Sequence, residues 1–140
     1  MTSDTTVQGG CNCGSIRYTI PAKPLTVVAC HCRNCQRQSG SAYSVNLIVK
    51  AKDMSVEGEL ALYTDNDTNS GNPVLRKFCG KCGSPIRSEA GSAPGIYVVK
   101  AGTLDDPAPY EPRAQLWTCT ALPWVTIPEE QPKFEKEPEA

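Results

Sequence analysis

"CHCRNC", residues 30–35, packs three cysteines and the chain's single histidine into six positions. Such a cluster forms a disulfide knot, a structural metal clip or a reactive site. Two further groups narrow the choice: "GGCNCG" at 9–14 and "FCGKCG" at 78–83. Seven of the eight cysteines fall in these three groups. Disulfides fit poorly. Cys11 and Cys13, or Cys30 and Cys32, are too close in sequence to bridge each other without strain. The opening "MTSDTTVQGG" lacks the basic-then-apolar layout of an export signal, so the expected location is the cytoplasm, where thiols stay reduced.

Metal binding is the better reading. Zinc takes four soft ligands in a tetrahedron. A Cys-x-x-Cys turn aims two sulfurs at one point, and a following glycine eases the turn. Both "CNCG" and "CGKCG" carry that glycine. In an extended Cys-x-Cys the two side chains share a face and the residue between them points away. If Cys30 and Cys32 converge on a metal, His31 faces elsewhere and is not a ligand. Seven thiols divide as four plus three: four thiolates close a structural site, and three leave a position for water or a substrate atom. Residues 30–35 can wrap one metal alone, leaving Cys11, Cys13, Cys79 and Cys82 for the other. Spacing also permits an outlying pair to combine with two cysteines of the central group.

The 140 residues suffice for one domain. A net charge of −1 with 21% charged residues gives no basic face for nucleic acid, and no apolar run is long enough to span a membrane. Short apolar segments bounded by turn residues predict a mainly β domain. Strands are expected at 15–20, 25–32, 43–50, 59–65, 74–79, 95–102, 114–120 and 124–127. One short helix is expected over Cys32–Gly40, ended by its glycine. Residues 1–7 read as a flexible N-terminus, 8–127 as the zinc-binding domain and 128–140 as an acidic, partly disordered tail. The loops at 65–73 and 88–96 are where pocket specificity is expected.

The order C-x-C-G, C-H-C-x-x-C, F-C-x-x-C-G resembles the glutathione-dependent formaldehyde-activating enzyme family. That family shares its domain with centromere protein V and has the Mss4-like fold. "GGCNCGSIRY", "ACHCRNCQRQSGS", "FCGKCGSPI", "VVKAGTLDDP" and the late "LPW" agree with it, so the resemblance covers about residues 8–127. It implies several small, coiled antiparallel β-sheets stapled by zinc. It also implies a pairing that spacing leaves open, with a structural zinc on Cys11, Cys13, Cys79 and Cys82 and an activity-linked zinc on Cys30, Cys32 and Cys35. The implied reaction joins glutathione and formaldehyde as S-hydroxymethylglutathione, a carbon–sulfur lyase run in reverse. The partners are then a small thiol and an aldehyde.

Arg33, Arg37, Ser39 and Ser41 adjoin the three-cysteine segment and are candidates to bind an oxyanion or the carboxylates of glutathione. His31 has two readings: a proton shuttle, since an imidazole ordinarily titrates near about pH 6.5, or a brace for the loop or a sulfur. Cys119 reads as a small buried strand residue, and as a zinc ligand it would close the site. Trp117 and Trp124 read as core or pocket wall. Two rival functions stand beside the enzyme: a non-catalytic zinc module that binds a protein partner, and a thiol carrier without turnover.

Overall fold

The computed structural model describes residues 6–68 and 71–136. Its strands are β1 (Val7–Gly10), β2 (Arg17–Ile20), β3 (Thr26–Cys30), β4 (Ser44–Lys50), β5 (Ser55–Glu57), β6 (Leu60–Asp65), β7 (Val74–Cys79), β8 (Pro85–Ala90), β9 (Ile96–Lys100) and β10 (Ala114–Leu116). The helix α1 spans Arg33–Ser39, and 3-10 turns cover Ala51–Asp53, Ala101–Thr103 and Thr118–Thr120. The chain is mainly β, as expected. No strand forms at 124–127, where Pro123 and Pro128 flank the apolar residues and remove backbone donors. The segment 114–120 is strand only to Leu116. β1, β5 and β8 were not expected: β1 is glycine-rich, β5 is three residues long, and β8 opens on proline and carries charges.

The strands form two sheets, β1-β2-β5 and β10-β3-β4-β9-β8-β7-β6. Pairing is antiparallel except between β10 and β3. Because alternate residues of a strand face opposite ways, register decides which side chains meet. Val27, Leu47 and Val99 are cross-strand partners. With Val49 they pack on Val7, Ile16, Tyr18 and Ile20 of the small sheet, and this is the core. Each such side chain contributes about 1.5–3 kcal/mol on burial. Gly9 allows the small sheet to dock, since a Cβ there would stand 2.4 Å from the Thr103 carbonyl and from the Tyr18 hydroxyl.

The opposite face of the large sheet is different in kind. One cross-strand row reads Val28, Asn46, Lys100. The next reads Ile48, Val98, Ser88, Arg76. Polar and apolar residues alternate there over a face that the core does not cover. At its edge β3 ends on Cys30, and the chain turns into α1. Cys32 caps that helix by accepting the Cys35 N–H at 3.2 Å. Gly40, at φ 66°, ends it and donates to the Gln36 carbonyl.

Residues 1–5 of the expected flexible N-terminus lie outside the described residues, while Val7 is buried in β1. Of the acidic stretch 128–140, residues 137–140 lie outside the described residues. Before them the chain runs beside β10: Gln115 N–H donates to the Pro132 carbonyl at 2.9 Å, and Phe134 N–H to the Gln115 carbonyl at 2.9 Å. Among the described residues no helix is long and apolar enough to cross a membrane.

Candidate functional site

Cys11 and Cys13 sit on the turn between β1 and β2; Cys79 ends β7, and Cys82 lies on the turn from β7 to β8. All four sulfurs lie within 4.8 Å of one another. Cys11 Sγ is 3.6 Å from Cys13 Sγ, which is 3.8 Å from Cys79 Sγ. A tetrahedral zinc with bonds of about 2.3 Å places its sulfurs about 3.8 Å apart, and these two separations suit such an ion. Backbone donors already aim at the sulfurs. Ile16 N–H lies 3.2 Å from Cys11 Sγ, and Lys81 and Cys82 N–H each lie 3.4 Å from Cys79 Sγ. Desolvation pushes the Cys11 thiol up, but the N–H of Ile16 and the hydroxyl of Ser15 outweigh it and bring it to about 7. The hydroxyl and N–H of Ser84 bring Cys82 down to about 5. The thiolate, the form a metal takes, is thus favoured at Cys11 and Cys82; at Cys13 the hydroxyl of Ser15 pulls the thiol down, but burial and the sulfurs of Cys11 and Cys82 outweigh it and raise it.

The second group is Cys30, Cys32 and Cys35, again with sulfurs within 4.8 Å of one another. Cys30 and Cys32 are buried and Cys35 is half-buried. Hydrogen bonds to Cys32 and Cys35, then burial, push the Cys30 thiol up. Hydrogen bonds from Cys30 and Cys32 hold Cys35 well below its ordinary range, against burial and with help from the Lys100 charge. Three thiols so placed can all ionise only beside a cation, which fits a metal.

These three cysteines line a cavity of about 170 Å³ over the uncovered face of the large sheet. Lys100 stands in its wall, only 6% exposed. Its Nζ donates to Asn46 Oδ1 at 3.1 Å, and Asn46 Nδ2 donates in turn to Ser44 Oγ at 2.9 Å. Burial lowers the Lys100 pKa, while Cys35 opposes that shift. Arg76 is neutralised in place: its Nε lies 2.9 Å from Asp65 Oδ2, and its Nη1 donates to Ser88 Oγ at 3.4 Å. Trp117 closes one side, held at φ 58° and ψ 42°. Such a conformation is an outlier for a bulky side chain.

The other residues singled out from sequence fall elsewhere. His31 is fully buried and is not part of the cavity wall. Its Nε2–H donates to Gln115 Oε1 at 2.8 Å, and its ring centroid is 5.0 Å from that of Tyr43. Its carbonyl accepts from Gln36 Nε2 at 2.8 Å and from Thr120 Oγ1 at 3.0 Å. Arg33 is exposed and donates to Gln36 Oε1. The Ser39 hydroxyl donates to the Cys35 carbonyl at 2.6 Å, and Ser41 Oγ to the Tyr43 carbonyl at 2.7 Å. Arg37 is exposed over a hollow it shares with Asn34, Tyr63 and Asp65. Arg33, Arg37, Ser39 and Ser41 therefore do not reach the cavity wall.

Two expectations are corrected. Cys119 is exposed and lies in a 3-10 turn, because the left-handed turn at Trp117 ends the strand and swings the chain outward. It does not join the three-thiol group. Trp124 is 72% exposed and is neither core nor cavity wall. Conversely, sequence reasoning passed over Lys100, Asn46, Arg76 and Ser88. The available signal was a single polar residue set among apolar ones in two strands, Asn46 in "SVNLIVK" and Arg76 in "VLRKFC".

A β-rich domain with a four-thiol group joining two turns and a three-thiol group beside a cavity offers two sites that could hold a metal ion. The model of the family described as glutathione-dependent formaldehyde-activating enzyme matches residues 6–120, and the chain belongs to that family. A crystal structure of a Rhodobacter sphaeroides protein shares the fold at a TM-score of 0.56, with 23% sequence identity, covering 70% of this chain and 87% of that one.

Proposed function

We propose that the chain is an enzyme that adds a glutathione-like thiol to the carbonyl carbon of an aldehyde, and reverses that addition as a carbon–sulfur lyase. The observation that carries this reading is the placing of Cys30, Cys32 and Cys35 in the wall of a cavity that also holds the ammonium of Lys100. Membership of the formaldehyde-activating family supports it. Eight free thiols suit a reducing compartment such as the cytoplasm.

Cys30, Cys32 and Cys35 would hold one zinc; Cys11, Cys13, Cys79 and Cys82 would hold a second, structural one. A metal held there would favour the thiolate form of a substrate thiol at neutral pH. The substrate thiol gives its proton to water, and its thiolate forms the S–C bond with the carbonyl carbon. The carbonyl π pair moves to oxygen, and a proton from water completes the hydroxyl of the hemithioacetal. Lys100, fixed by Asn46, supplies a hydrogen-bond donor and positive charge where that oxygen becomes negative. The buried pair with Asp65 fixes Arg76 in the wall. His31 braces the cysteine loop through Gln115, Gln36 and Thr120, and this role is preferred to proton shuttling because the ring lies outside the cavity wall. Arg33 and Ser39 order α1 rather than touch substrate.

The test is exchange spectroscopy by NMR on an equilibrium mixture of glutathione and carbon-13 formaldehyde or a larger aldehyde. Added protein should speed exchange between free aldehyde and adduct, and Cys35→Ser should not. Binding of glutathione without any acceleration for any aldehyde would make the protein a thiol carrier and overturn the reading.

A further inference from the structure

We propose that the carbonyl compound this site takes is an uncharged aldehyde with an apolar body about the size of a phenyl ring, rather than formaldehyde. The inference rests on the thiol–carbonyl chemistry proposed for this site and names its substrate class. The first ground is volume. An apolar cavity of about 150 Å³ admits benzene, whereas a water-sized molecule such as formaldehyde needs roughly 10–15 Å³ of such space. The pocket here offers about 170 Å³ of such space, open to solvent on one side, so with the zinc and the sulfur end of the thiol in place formaldehyde would still leave part of it to water.

The second ground is the wall. Val28, Ile48, Val74, Ala90, Val98 and Leu116 supply most of it, and the indole of Trp117 closes it. Burying a charged group against such a surface is costly. The body of glutathione carries two carboxylates and an ammonium, so it remains outside and only its sulfur end enters. What fills the apolar space is then the substituent on the carbonyl carbon.

The third ground is charge. Of the two cations in the wall, Arg76 is paired with Asp65 at 2.9 Å. Lys100 donates to a neutral amide, that of Asn46, and shares the wall with Cys30, Cys32 and Cys35. With Lys100 given to the carbonyl oxygen and Arg76 held by Asp65, no cation among the described residues of the wall is left to balance a carboxylate on the aldehyde, so a neutral aldehyde fits better than an oxo-acid. Lys100 is the cation of the wall that no carboxylate pairs with, and the carbonyl oxygen turns toward it. A bulky residue held in a left-handed conformation at this wall agrees, since such conformations gather at ligand sites.

The test has two parts. In the first, benzyl alcohol, which cannot react, is titrated into methyl-labelled zinc-loaded protein and followed by NMR. The methyl signals of Val28, Ile48, Val74 and Val98 are expected to shift, with Val7 and Ile20 of the core unmoved. In the second, kcat/KM for glutathione adduct formation is compared between benzaldehyde and formaldehyde. Each buried methylene contributes roughly tenfold to such discrimination, so benzaldehyde should lead by at least that factor. Val98→Phe should cut the benzaldehyde-to-formaldehyde ratio tenfold or more, and Ala90→Leu, a smaller intrusion, should cut it in the same direction. Preference for formaldehyde, or a ratio that neither variant changes, overturns the inference and leaves the thiol–carbonyl chemistry standing. Methyl shifts without turnover of any aldehyde support the apolar occupant and refute the chemistry. No methyl shifts overturns the inference whichever aldehyde is turned over.

Discussion

Cys13 offers a clean way to weigh the four-thiol group. It is exposed, so Cys13→Ser removes a sulfur with almost no loss of buried surface, and any stability lost comes from the tether. The sulfurs of Cys13 and Cys79 lie 3.8 Å apart, yet 66 positions separate them in sequence. A cross-link closing a loop of that length removes about 15 cal/mol/K of chain entropy from the unfolded state, or about 4 kcal/mol at room temperature. Unfolding entropy for a 140-residue chain is about 0.3 kcal/mol/K. Loss of the tether should therefore lower Tm by about 14 °C. The assay is calorimetry on protein of known zinc content, in a chelator concentration that leaves the wild type loaded. Cys35→Ser under the same conditions should lower Tm by less than half as much, because its group closes only the short stretch from Cys30 to Cys35. If Cys13→Ser loses its zinc and still melts within about 3 °C of the wild type, roughly 1 kcal/mol, the tether reasoning is wrong.

Three further outcomes are expected. Asp65→Ala strands the buried Arg76 guanidinium and should cost about 3 kcal/mol in urea unfolding; a loss below about 1 kcal/mol would show that Arg76 finds water or another partner. His31→Ala should keep both zincs and lose about 2 kcal/mol of stability through its hydrogen bonds and packing, with the shape of the pH–rate profile unchanged; a changed profile would restore the proton shuttle. Tyr18 is raised by burial from its ordinary 10 to about 12. Below pH 10 both folded and unfolded tyrosine keep the proton, but between about 10 and 12 only the unfolded one ionises, so stability falls as pH rises through that window. Tyr18→Phe should flatten this fall in a pH series of urea midpoints, and an unchanged slope would mean that Tyr18 ionises freely in the folded state.

The cysteine groups were legible because metal ligands must cluster, and clustering shows in spacing. Most strands were legible from apolar runs, and α1 from the glycine that ends it. Lys100 and Arg76 were not, because a charged residue within a strand reads as solvent-facing until register sets it beside Asn46 or Ser88. Those pairings join residues 54 and 12 positions apart, which no local pattern encodes. Cys119 and Trp124 misled for a related reason. Apolar character predicts burial on average, but here a left-handed turn at Trp117 carries the chain out of the sheet before Cys119 is reached. The course of Pro132–Lys136 beside β10 was hidden in the same way, since it depends on backbone hydrogen bonds and not on apolar side chains.

Native mass spectrometry with glutathione titrated in tests the central claim most directly, comparing the wild type with Cys30→Ser. Two zincs per chain and a glutathione adduct are expected for the wild type. One zinc and no adduct are expected for the variant. A wild type with one zinc, or an adduct that survives in Cys30→Ser, would contradict a four-plus-three division in which the three-thiol group receives the substrate thiol.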